Sequence, residues 1–317
     1  MISEKNVSLL LHLFVFQESP HFFTSEEFFI TFVLVKKNIM NNDADMLSDL
    51  TQKVVESVRP IGRFICQERS VFDPSRIEEK NLHDYVSYVD RESERRLVAL
   101  LSTLLPTAGF ITEEATAAYA GEPYVWIIDP LDGTTNYLHA HAPYVVSVAL
   151  YGREAGLLVG VVYAPSSDEC FYAWKGGGAY LNGTRLVVSS ADSISAAYLH
   201  LGLPYDAVKY GRLSAALLSR FYGRVGAVRI AGSAAMDICD VAAGRCDAYI
   251  EPSLHVWDVA AAMLILHEAG GVITDFANFS WLDVMRRGDV PEVNHYDVVA
   301  ATPRLHAEVL AGVHDCL

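Results

Sequence analysis

The stretch Trp126-Ile127-Ile128-Asp129-Pro130-Leu131-Asp132-Gly133-Thr134-Thr135-Asn136 decides how this chain is expected to fold. Its apolar start, from Val125 to Ile128, lacks polar alternation and therefore predicts a short strand buried on both faces. Proline carries no backbone N–H donor, so the strand is predicted to end at Asp129-Pro130. Thr134-Thr135-Asn136 are typical capping residues and predict that a helix follows.

The same stretch carries two carboxylates, Asp129 and Asp132, three residues apart on the predicted turn. Gly133 lets the backbone pass close to a ligand, and the N-terminus of the following helix favours an anion. Carboxylate oxygens are the ligands that Mg²⁺ prefers. The stretch therefore predicts a site for Mg²⁺ and phosphate, while an ordinary solvated turn is the alternative for the motif taken alone.

Two further acidic segments favour the metal site. Upstream, Phe110-Ile111-Thr112 predicts a short strand, and Glu113-Glu114 follow it directly. Downstream, His255-Val256-Trp257-Asp258 opens an alanine-rich helix predicted over Val259 to Ala269. Asp258 therefore lies near a helix N-terminus, where the helix dipole stabilises a carboxylate. Taken alone, Asp258 would be interpreted as a simple N-cap.

Together these segments resemble the inositol monophosphatase family of magnesium-dependent, lithium-sensitive phosphatases. The resemblance runs from Met46 to the C-terminus, and three motifs in the same order argue against a chance match. Other matching positions are Lys80, Asp84, Val86, Ser87 and Asp90, a glycine-rich hairpin at Gly176 to Gly183, and a substrate-side loop at Gly232-Ser233-Ala234-Ala235.

The resemblance implies two or three Mg²⁺ ions and assigns their ligands. The implied ligands are Glu113, Asp129 and the Leu131 carbonyl for one ion, and Asp129, Asp132 and Asp258 for a second. Asp90 is implied to lie near a third, weaker ion and to belong to the catalytic group. Thr134 with Glu113 resembles the pair that orients the attacking water, so no covalent phosphoenzyme is expected. The backbone amides of Gly133 and Thr134 resemble those that receive the phosphate.

The substrate implied by the resemblance is a small polyol or sugar phosphate, with inositol monophosphate preferred. Glu251 matches the position whose carboxylate accepts hydrogen bonds from polyol hydroxyls, and Ser233, Ala234 and Asp132 complete the implied substrate side. A solvated strand end is the alternative interpretation of Glu251. Histidinol-phosphate, fructose-bisphosphate and 3′-phosphoadenosine-5′-phosphate phosphatases share the metal ligands and remain alternatives, as does a catalytically silent binding or regulatory protein on the same fold.

Composition bounds the class of protein. The chain has 317 residues, of which 51% are hydrophobic, enough for one large domain or two closely packed ones. Its formal net charge of −15 argues against nucleic acid or an anionic membrane as the main partner. Five scattered cysteines predict reduced thiols in a cytoplasmic protein rather than disulfides or a zinc site. The resemblance adds a homodimer to these expectations.

Alternating helix and strand patterns place the chain between α/β and α+β. The resemblance implies a layered α-β-α-β-α sandwich of the sugar-phosphatase type. In it, a metal-binding subdomain over residues 46–195 would meet a C-terminal subdomain over residues 196–317 at the active-site cleft. A tight hairpin turn is predicted at Asn182-Gly183, leading to a strand over Leu186 to Val188.

Residues 1–45 differ in character from the rest. Their two short apolar runs fall well below the roughly 18 residues that a membrane-spanning helix needs, and the features of a secretory signal are weak. We expect a poorly integrated extension, with Met40 or Met46 as the functional start. A hairpin packed on the body of the protein is the alternative.

Overall fold

The computed structural model describes residues 44–72, 77–81, 84–285 and 294–317. The helices are α1 (Ala44–Ser70), α2 (Tyr88–Leu104), α3 (Thr134–Leu138), α4 (Ala207–Phe221), α5 (Ala234–Ala242), α6 (Val256–Glu268), α7 (Trp281–Met285) and α8 (His306–His314), with a 3₁₀ turn at Ile194–Ala196. The strands are β1 (Ile77–Asn81), β2 (Asp84–Ser87), β3 (Ala108–Thr112), β4 (Tyr124–Asp132), β5 (Val145–Gly152), β6 (Gly156–Ala164), β7 (Glu169–Trp174), β8 (Gly178–Leu181), β9 (Thr184–Arg185), β10 (Tyr198–Leu201), β11 (Ala227–Arg229), β12 (Ala248–His255), β13 (Val272–Thr274) and β14 (Asn294–Ala301).

Some of the predictions fall outside this description. The extension predicted over residues 1–45 lies outside the described residues, except for the first residues of α1. The side chains of Lys80 and Asp84 also lie outside the described part, although the backbone of β1 and β2 forms an antiparallel pair. Within the described residues, no helix is both long and apolar enough to cross a membrane.

The larger sheet has seven strands in the order β3-β4-β5-β6-β7-β8-β9. β3 and β4 run parallel, and every other neighbouring pair is antiparallel. All residues of β3, β5 and β6 are buried. Continuous apolar strands of this kind require cover on both faces of the sheet.

Strand β4 is longer than predicted, because Pro130 does not end it. β4 runs on to Asp132, and its register against β5 shifts between Asp129, opposite Ser147, and Asp132, opposite Val145. β4 thus has one more residue than β5 across this interval, which is a β-bulge. A bulge is one of the few places where a strand tolerates a proline, since the residue need not donate to the ladder.

The smaller sheet has five strands in the order β11-β10-β12-β14-β13. β10 runs parallel to both β11 and β12, whereas β14 runs antiparallel to both β12 and β13. All of its strands follow residue 196 in the chain, and all strands of the larger sheet precede it.

Helices occupy three layers around the two sheets. α1 and α2 pack on the larger sheet, α5 and α6 contact both sheets, and α8 packs against β14 and α4. α6 is buried from Val259 to Leu266, as expected of a helix between two sheets. Gly160 of β6 permits this close packing, because a Cβ there would lie only 2.5 Å from the Ala261 carbonyl oxygen. The predicted α-β-α-β-α sandwich is confirmed.

The hairpin turn at Asn182-Gly183 is also confirmed, with left-handed φ angles of 47° and 86°. The strand predicted after it, over Leu186 to Val188, is wrong, because the strand that follows is β9. The Val188 N–H donates to the carbonyl of Ala269 beyond α6 rather than to the sheet. The Leu186 N–H still donates to the Ala179 carbonyl of β8, but the side chain of Val187 is 68% exposed, so the chain leaves the sheet after Leu186.

Candidate active site

The parallel pairing of β3 with β4 brings the first two acidic segments together. Thr112 pairs with Ile128, and the Glu113 N–H extends the ladder by donating to the Ile128 carbonyl at 3.2 Å. The next residues along the two strands are therefore Glu113 and Asp129. Because carboxyl ends of parallel strands meet at one sheet edge, these two carboxylates are neighbours.

The third acidic segment reaches the same edge through the start of α6. The Ser147 hydroxyl, directly opposite Asp129 on β5, donates to the Trp257 carbonyl at 3.2 Å. His255 is the N-cap of α6, and its backbone N–H donates to Asp258 at 2.7 Å. Asp258 is thus the third helical residue, not the N-cap, and its carboxylate closes the reciprocal half of a capping box.

Asp132 links the strand to the second half of the chain. One of its oxygens accepts from the Ser233 hydroxyl at 2.7 Å and from the Ala235 backbone N–H at 2.8 Å. Both donors lie at the start of α5, where unpaired backbone N–H groups are available. The predicted substrate residues Ser233 and Ala234 therefore adjoin Asp132, and the Ser233 hydroxyl is bonded to it.

Thr134 contacts a residue from a distant part of the sequence. Its hydroxyl lies 2.9 Å from the Leu131 carbonyl and 3.1 Å from Asp90 Oδ1. The other oxygen of Asp90 accepts from the Ser87 N–H at 2.9 Å and its hydroxyl at 2.6 Å, which fixes the carboxylate at the start of α2. The helical cap predicted at Thr134 is wrong, because Gly133 occupies the N-cap of α3 and Thr134 points towards Asp90 instead.

Gly133 is the residue that this turn requires. Its φ of 90° lies in the left-handed region, which L side chains rarely adopt. A Cβ would also lie 2.8 Å from the Pro143 carbonyl oxygen. Asn136 secures the same turn, because its amide donates to the carbonyls of Pro143 at 2.7 Å and Ala231 at 2.8 Å.

A cavity of about 780 Å³ collects nearly all the predicted site residues. Those lining it are Glu113, Asp129, Leu131, Asp132, Gly133, Thr134, Ser233, Ala234, Glu251 and Asp258. Asp90 is buried behind Thr134 rather than in the lining. His255 and Trp257 also line the cavity, with their rings stacked 4.8 Å apart. His139 and His141 are exposed and do not contribute to it.

The carboxylates of this cavity perturb one another. Burial raises the pKa of Asp129 well above its usual range, and repulsion from Glu113, Asp132 and Asp258 adds to the rise. Burial and repulsion from Asp258 raise the pKa of Asp132 to about 8. Burial also raises the pKa of Asp90 to about 6, with a further contribution from Glu113. The site therefore favours protons or cations beside these groups.

Glu251 lies on β12 at the side of the cavity formed by the second half of the chain. The Tyr249 hydroxyl donates to its Oε2. A Cβ on Gly202 would lie 1.9 Å from the same oxygen, so a glycine is needed to make room for the carboxylate. Burial, with repulsion from Asp237, Asp258 and Asp132, raises the pKa of Glu251 to about 8 despite the bond from Tyr249.

The donor set suits a hard cation such as Mg²⁺, because carboxylates and a backbone carbonyl converge on one polar cavity. Within the described residues, however, no three His, Cys, Asp or Glu side chains already stand close enough to hold one ion. Asp132, Asp258 and Asp90 instead accept the protein hydrogen bonds described above. A bound ion would therefore be held by carboxylates of the cavity and the Leu131 carbonyl, with water or phosphate oxygens completing its coordination.

Comparison with known proteins identifies the family. The family model described as "Inositol monophosphatase family" matches residues 46–317. The chain belongs to the inositol monophosphatase family. Its relatives have two kinds of name. A protein of Neisseria meningitidis named "Putative Nus factor SuhB" is 35% identical over 257 residues, which is 80% of this chain and 94% of the relative.

Another relative, the "Inositol-1-monophosphatase" of Mesorhizobium japonicum, is 36% identical over 229 residues, covering 72% of this chain and 86% of that protein. Among solved structures, the extragenic suppressor protein suhB of Bartonella henselae superposes with a TM-score of 0.75 at 30% identity. That match covers 85% of this chain and all of the solved one. The family and fold are therefore shown, whereas the substrate of this inositol monophosphatase family member is not given by its relatives' names.

Several supporting interactions of the site carry no recognisable signal in a single sequence. Ser147 acts through a hydrogen bond to a backbone carbonyl that is distant in sequence. Asn136 was predicted as a capping residue, but its bond to the distant Ala231 carbonyl could not be predicted. Glu94 is fully buried and accepts a bond from the backbone N–H of Glu114, the residue after Glu113. Its spacing of four from Asp90 indicates the same helix face, but the spacing does not show which backbone groups that face contacts.

We expect the metal-free protein to lose stability as pH rises from about 5 to about 8. The folded-state pKa values of Asp132 and Glu251, about 8, and of Asp90, about 6, exceed their ordinary values. The folded state therefore binds more protons than the unfolded state in this range, and the free energy of unfolding falls with pH. Urea unfolding in EDTA at several pH values measures the fall.

Asp132→Asn should flatten this pH dependence, since it removes one titrating carboxyl while keeping an acceptor for Ser233. Asp192→Asn is the matched control, because the Asp192 side chain is 74% exposed and does not line the cavity. If the free energy of unfolding rises with pH, or if the two variants show equal slopes, then ionisation of these carboxylates does not destabilise the folded protein.

Proposed function

We propose that this protein is a Mg²⁺-dependent phosphomonoester hydrolase that releases phosphate from a small polyol or sugar phosphate, with inositol monophosphate first among them. The observation that carries the proposal is Asp129, a carboxylate only 2% exposed that is surrounded by three other acidic residues. A buried negative charge beside other carboxylates costs free energy unless a cation binds next to it. Family membership supports the same reaction class.

Mg²⁺ bound by Glu113, Asp129, Leu131, Asp132 and Asp258 would neutralise phosphate charge and lower the pKa of a bound water. Phosphoryl transfer needs mainly positioning and charge stabilisation. The protein supplies the positioning by fixing its ligands on β3, β4 and the start of α6. Each of these elements is anchored by the backbone or side-chain hydrogen bonds described above.

Thr134 is the residue we assign to orienting the attacking water, together with Glu113. Its hydroxyl proton is committed to the Leu131 carbonyl or to Asp90, because both acceptors lie within 3.1 Å. The Thr134 oxygen can then accept a hydrogen bond from the attacking water. As the water attacks phosphorus, its proton would pass to Thr134 Oγ1 while the Thr134 hydroxyl proton passes to Asp90. Asp90, with a pKa raised to about 6, is largely deprotonated at neutral pH and able to receive that hydroxyl proton.

Glu251 is the residue we assign to the substrate hydroxyls. Tyr249 uses one of its oxygens, and a carboxylate retains further acceptor capacity on the other. Because Asp258 and Asp132 contribute to its raised pKa, cations held by those carboxylates would lower the pKa of Glu251 and favour its charged form. A charged acceptor selects hydroxyl-rich leaving groups over apolar ones.

Two alternatives differ from this proposal in their tests. A histidinol-phosphate, fructose-bisphosphate or 3′-phosphoadenosine-5′-phosphate phosphatase would use the same metal ligands, so a substrate panel separates these activities. Relatives named Nus factor raise the second alternative, a catalytically silent binding protein on this fold. Phosphate release measured with Mg²⁺ and with EDTA separates the silent protein from the enzyme.

Asp129→Asn should reduce kcat by about 100-fold to 1,000-fold or more, because it neutralises a carboxylate shared between the proposed ions. Phosphate release from inositol 1-phosphate at saturating Mg²⁺ gives the rate. The fold should survive, since the Asn side-chain oxygen can still accept the Leu131 N–H that Asp129 Oδ1 accepts at 2.9 Å.

Asp192→Asn is the control for Asp129→Asn and should retain wild-type turnover, because it makes the same change on the surface. Circular dichroism of both variants excludes unfolding as the cause. Near-normal turnover of Asp129→Asn at any Mg²⁺ concentration would refute the metal assignment.

Glu251→Gln should lower kcat/KM for inositol 1-phosphate while hardly affecting p-nitrophenyl phosphate. The carboxylate can accept two hydrogen bonds from vicinal hydroxyls, each worth about 1.5–3 kcal/mol, whereas the aryl ester offers no donor. The expected loss for the polyol substrate is therefore at least about tenfold. Parallel kinetics with the two substrates measure it.

Glu308→Gln on the exposed face of α8 is the charge-matched control for this experiment. It should leave both substrates unaffected. Equal losses for the two substrates in Glu251→Gln would mean that Glu251 supports the metal site or the local fold instead of recognising the substrate.

A further inference from the structure

Glu94 of α2 is a fully buried carboxylate with no role in the reaction described above. Its Oε2 accepts from the backbone N–H of Glu114 at 2.8 Å. Its Oε1 accepts from the backbone N–H of Thr116 at 2.8 Å and from the Thr116 hydroxyl at 2.7 Å. A buried carboxylate needs such partners, because desolvating an unpaired charge is costly. All three of these bonds go to one turn, residues 112–116.

This turn has a strained backbone. Ala115 lies between the two residues that Glu94 holds and has a φ of 52°. This left-handed conformation is unfavourable for a residue with a Cβ. The Ala115 N–H reaches the Thr112 carbonyl only at 3.3 Å. Both Ala115 and Thr116 are exposed, whereas the Glu114 side chain is only 4% exposed and lies 3.9 Å from the Arg91 guanidinium. The three bonds to Glu94 therefore restrain the exposed end of the turn, on both sides of Ala115.

The turn carries a residue of the proposed site, and α2 contacts a second one. Glu113 lies inside the turn and lines the cavity. Asp90, one helical turn before Glu94, accepts the Thr134 hydroxyl at 3.1 Å. Residues four apart lie on the same helix face. Side chains on one face of α2 thus bond both to the turn that contains Glu113 and to Thr134. These are the two residues that the proposed mechanism assigns to orienting the attacking water.

We propose that Glu94 is a positioning residue that holds the 112–116 turn so that Glu113 stays in register with Thr134. This inference rests on the proposed function for its kinetic consequence, but the restraint itself is a property of the fold. Glutamine at position 94 would keep the size of the side chain. Its amide NH₂ would then face a backbone N–H, so at least one of the three bonds would be lost.

The test compares Glu94→Gln and Thr116→Val with Glu92→Gln. Thr116→Val removes one donor at an exposed position, so it tests the same bonds if Glu94→Gln does not fold. Glu92→Gln neutralises a carboxylate on the same helix that pairs with Arg95 and Arg96 at its surface. Three readouts are measured in each variant: amide hydrogen exchange at 113–117, Mn²⁺ affinity, and kcat against KM with its Mg²⁺ dependence.

Glu94→Gln should accelerate amide exchange at Glu114 and Thr116, weaken Mn²⁺ binding and lower kcat by about tenfold to 100-fold. KM for inositol 1-phosphate should change little, because Glu251 lies on the other side of the cavity. Thr116→Val should shift the same readouts in the same direction by less. Glu92→Gln should match the wild type in all three.

Two results separate this inference from the proposed function. If the wild type releases no phosphate with Mg²⁺, the proposed function fails, while exchange and Mn²⁺ affinity still test Glu94. If Glu94→Gln and Thr116→Val fold but exchange amides at 113–117 and bind Mn²⁺ as Glu92→Gln does, then Glu94 does not position the turn. Loss of kcat without faster exchange would overturn the inference equally.

Discussion

The parallel register of β3 against β4 is the constraint on which the site depends. Thr112 lies opposite Ile128, so the two strands deliver Glu113 and Asp129 to the same sheet edge. A shift of one residue would turn every side chain of the shifted strand to the opposite face, where it would have to repack against the other helical layer. Since both strands are buried between helical layers, the hydrophobic free energy that stabilises the sandwich also fixes the separation of these carboxylates. Core packing therefore determines the positions of these carboxylates as much as polar contacts do.

Bringing carboxylates together costs folding free energy through repulsion and desolvation. Hydrogen bonds from the surrounding structure offset part of this cost. Asp132, Asp258 and Asp90 each accept hydrogen bonds from the start of a helix, where backbone or hydroxyl donors are available. Such bonds orient a carboxylate and offset part of its desolvation. Asp129, the most buried of the lining carboxylates, accepts only the Leu131 N–H among its assigned bonds. This difference singles out Asp129 as the group for which a cation would matter most.

Much of this arrangement could be predicted from the sequence, because local residue patterns indicate the strands and the acidic residues that follow them. The apolar runs before Glu113 and before Asp129 indicate buried strands, and the layered fold follows from the family resemblance. The bulge at Pro130 could not be predicted, since it depends on how β5 pairs with β4. The role of Glu94 was equally hidden: a glutamate on a helix is normally solvated, and only the tertiary packing of α2 against the 112–116 turn makes it buried. Residues whose partners are backbone groups far away in sequence leave no pattern to detect.

The number of divalent ions held by the chain tests the central claim most directly. Equilibrium dialysis with Mn²⁺ in the presence of phosphate should give two or three ions per chain for the wild type. Asp129→Asn should lose at least one of them, because the shared carboxylate is the only ligand we assign to both principal ions. Binding of the same number of ions with unchanged affinity in Asp129→Asn would contradict the account, as would a wild-type chain that binds none.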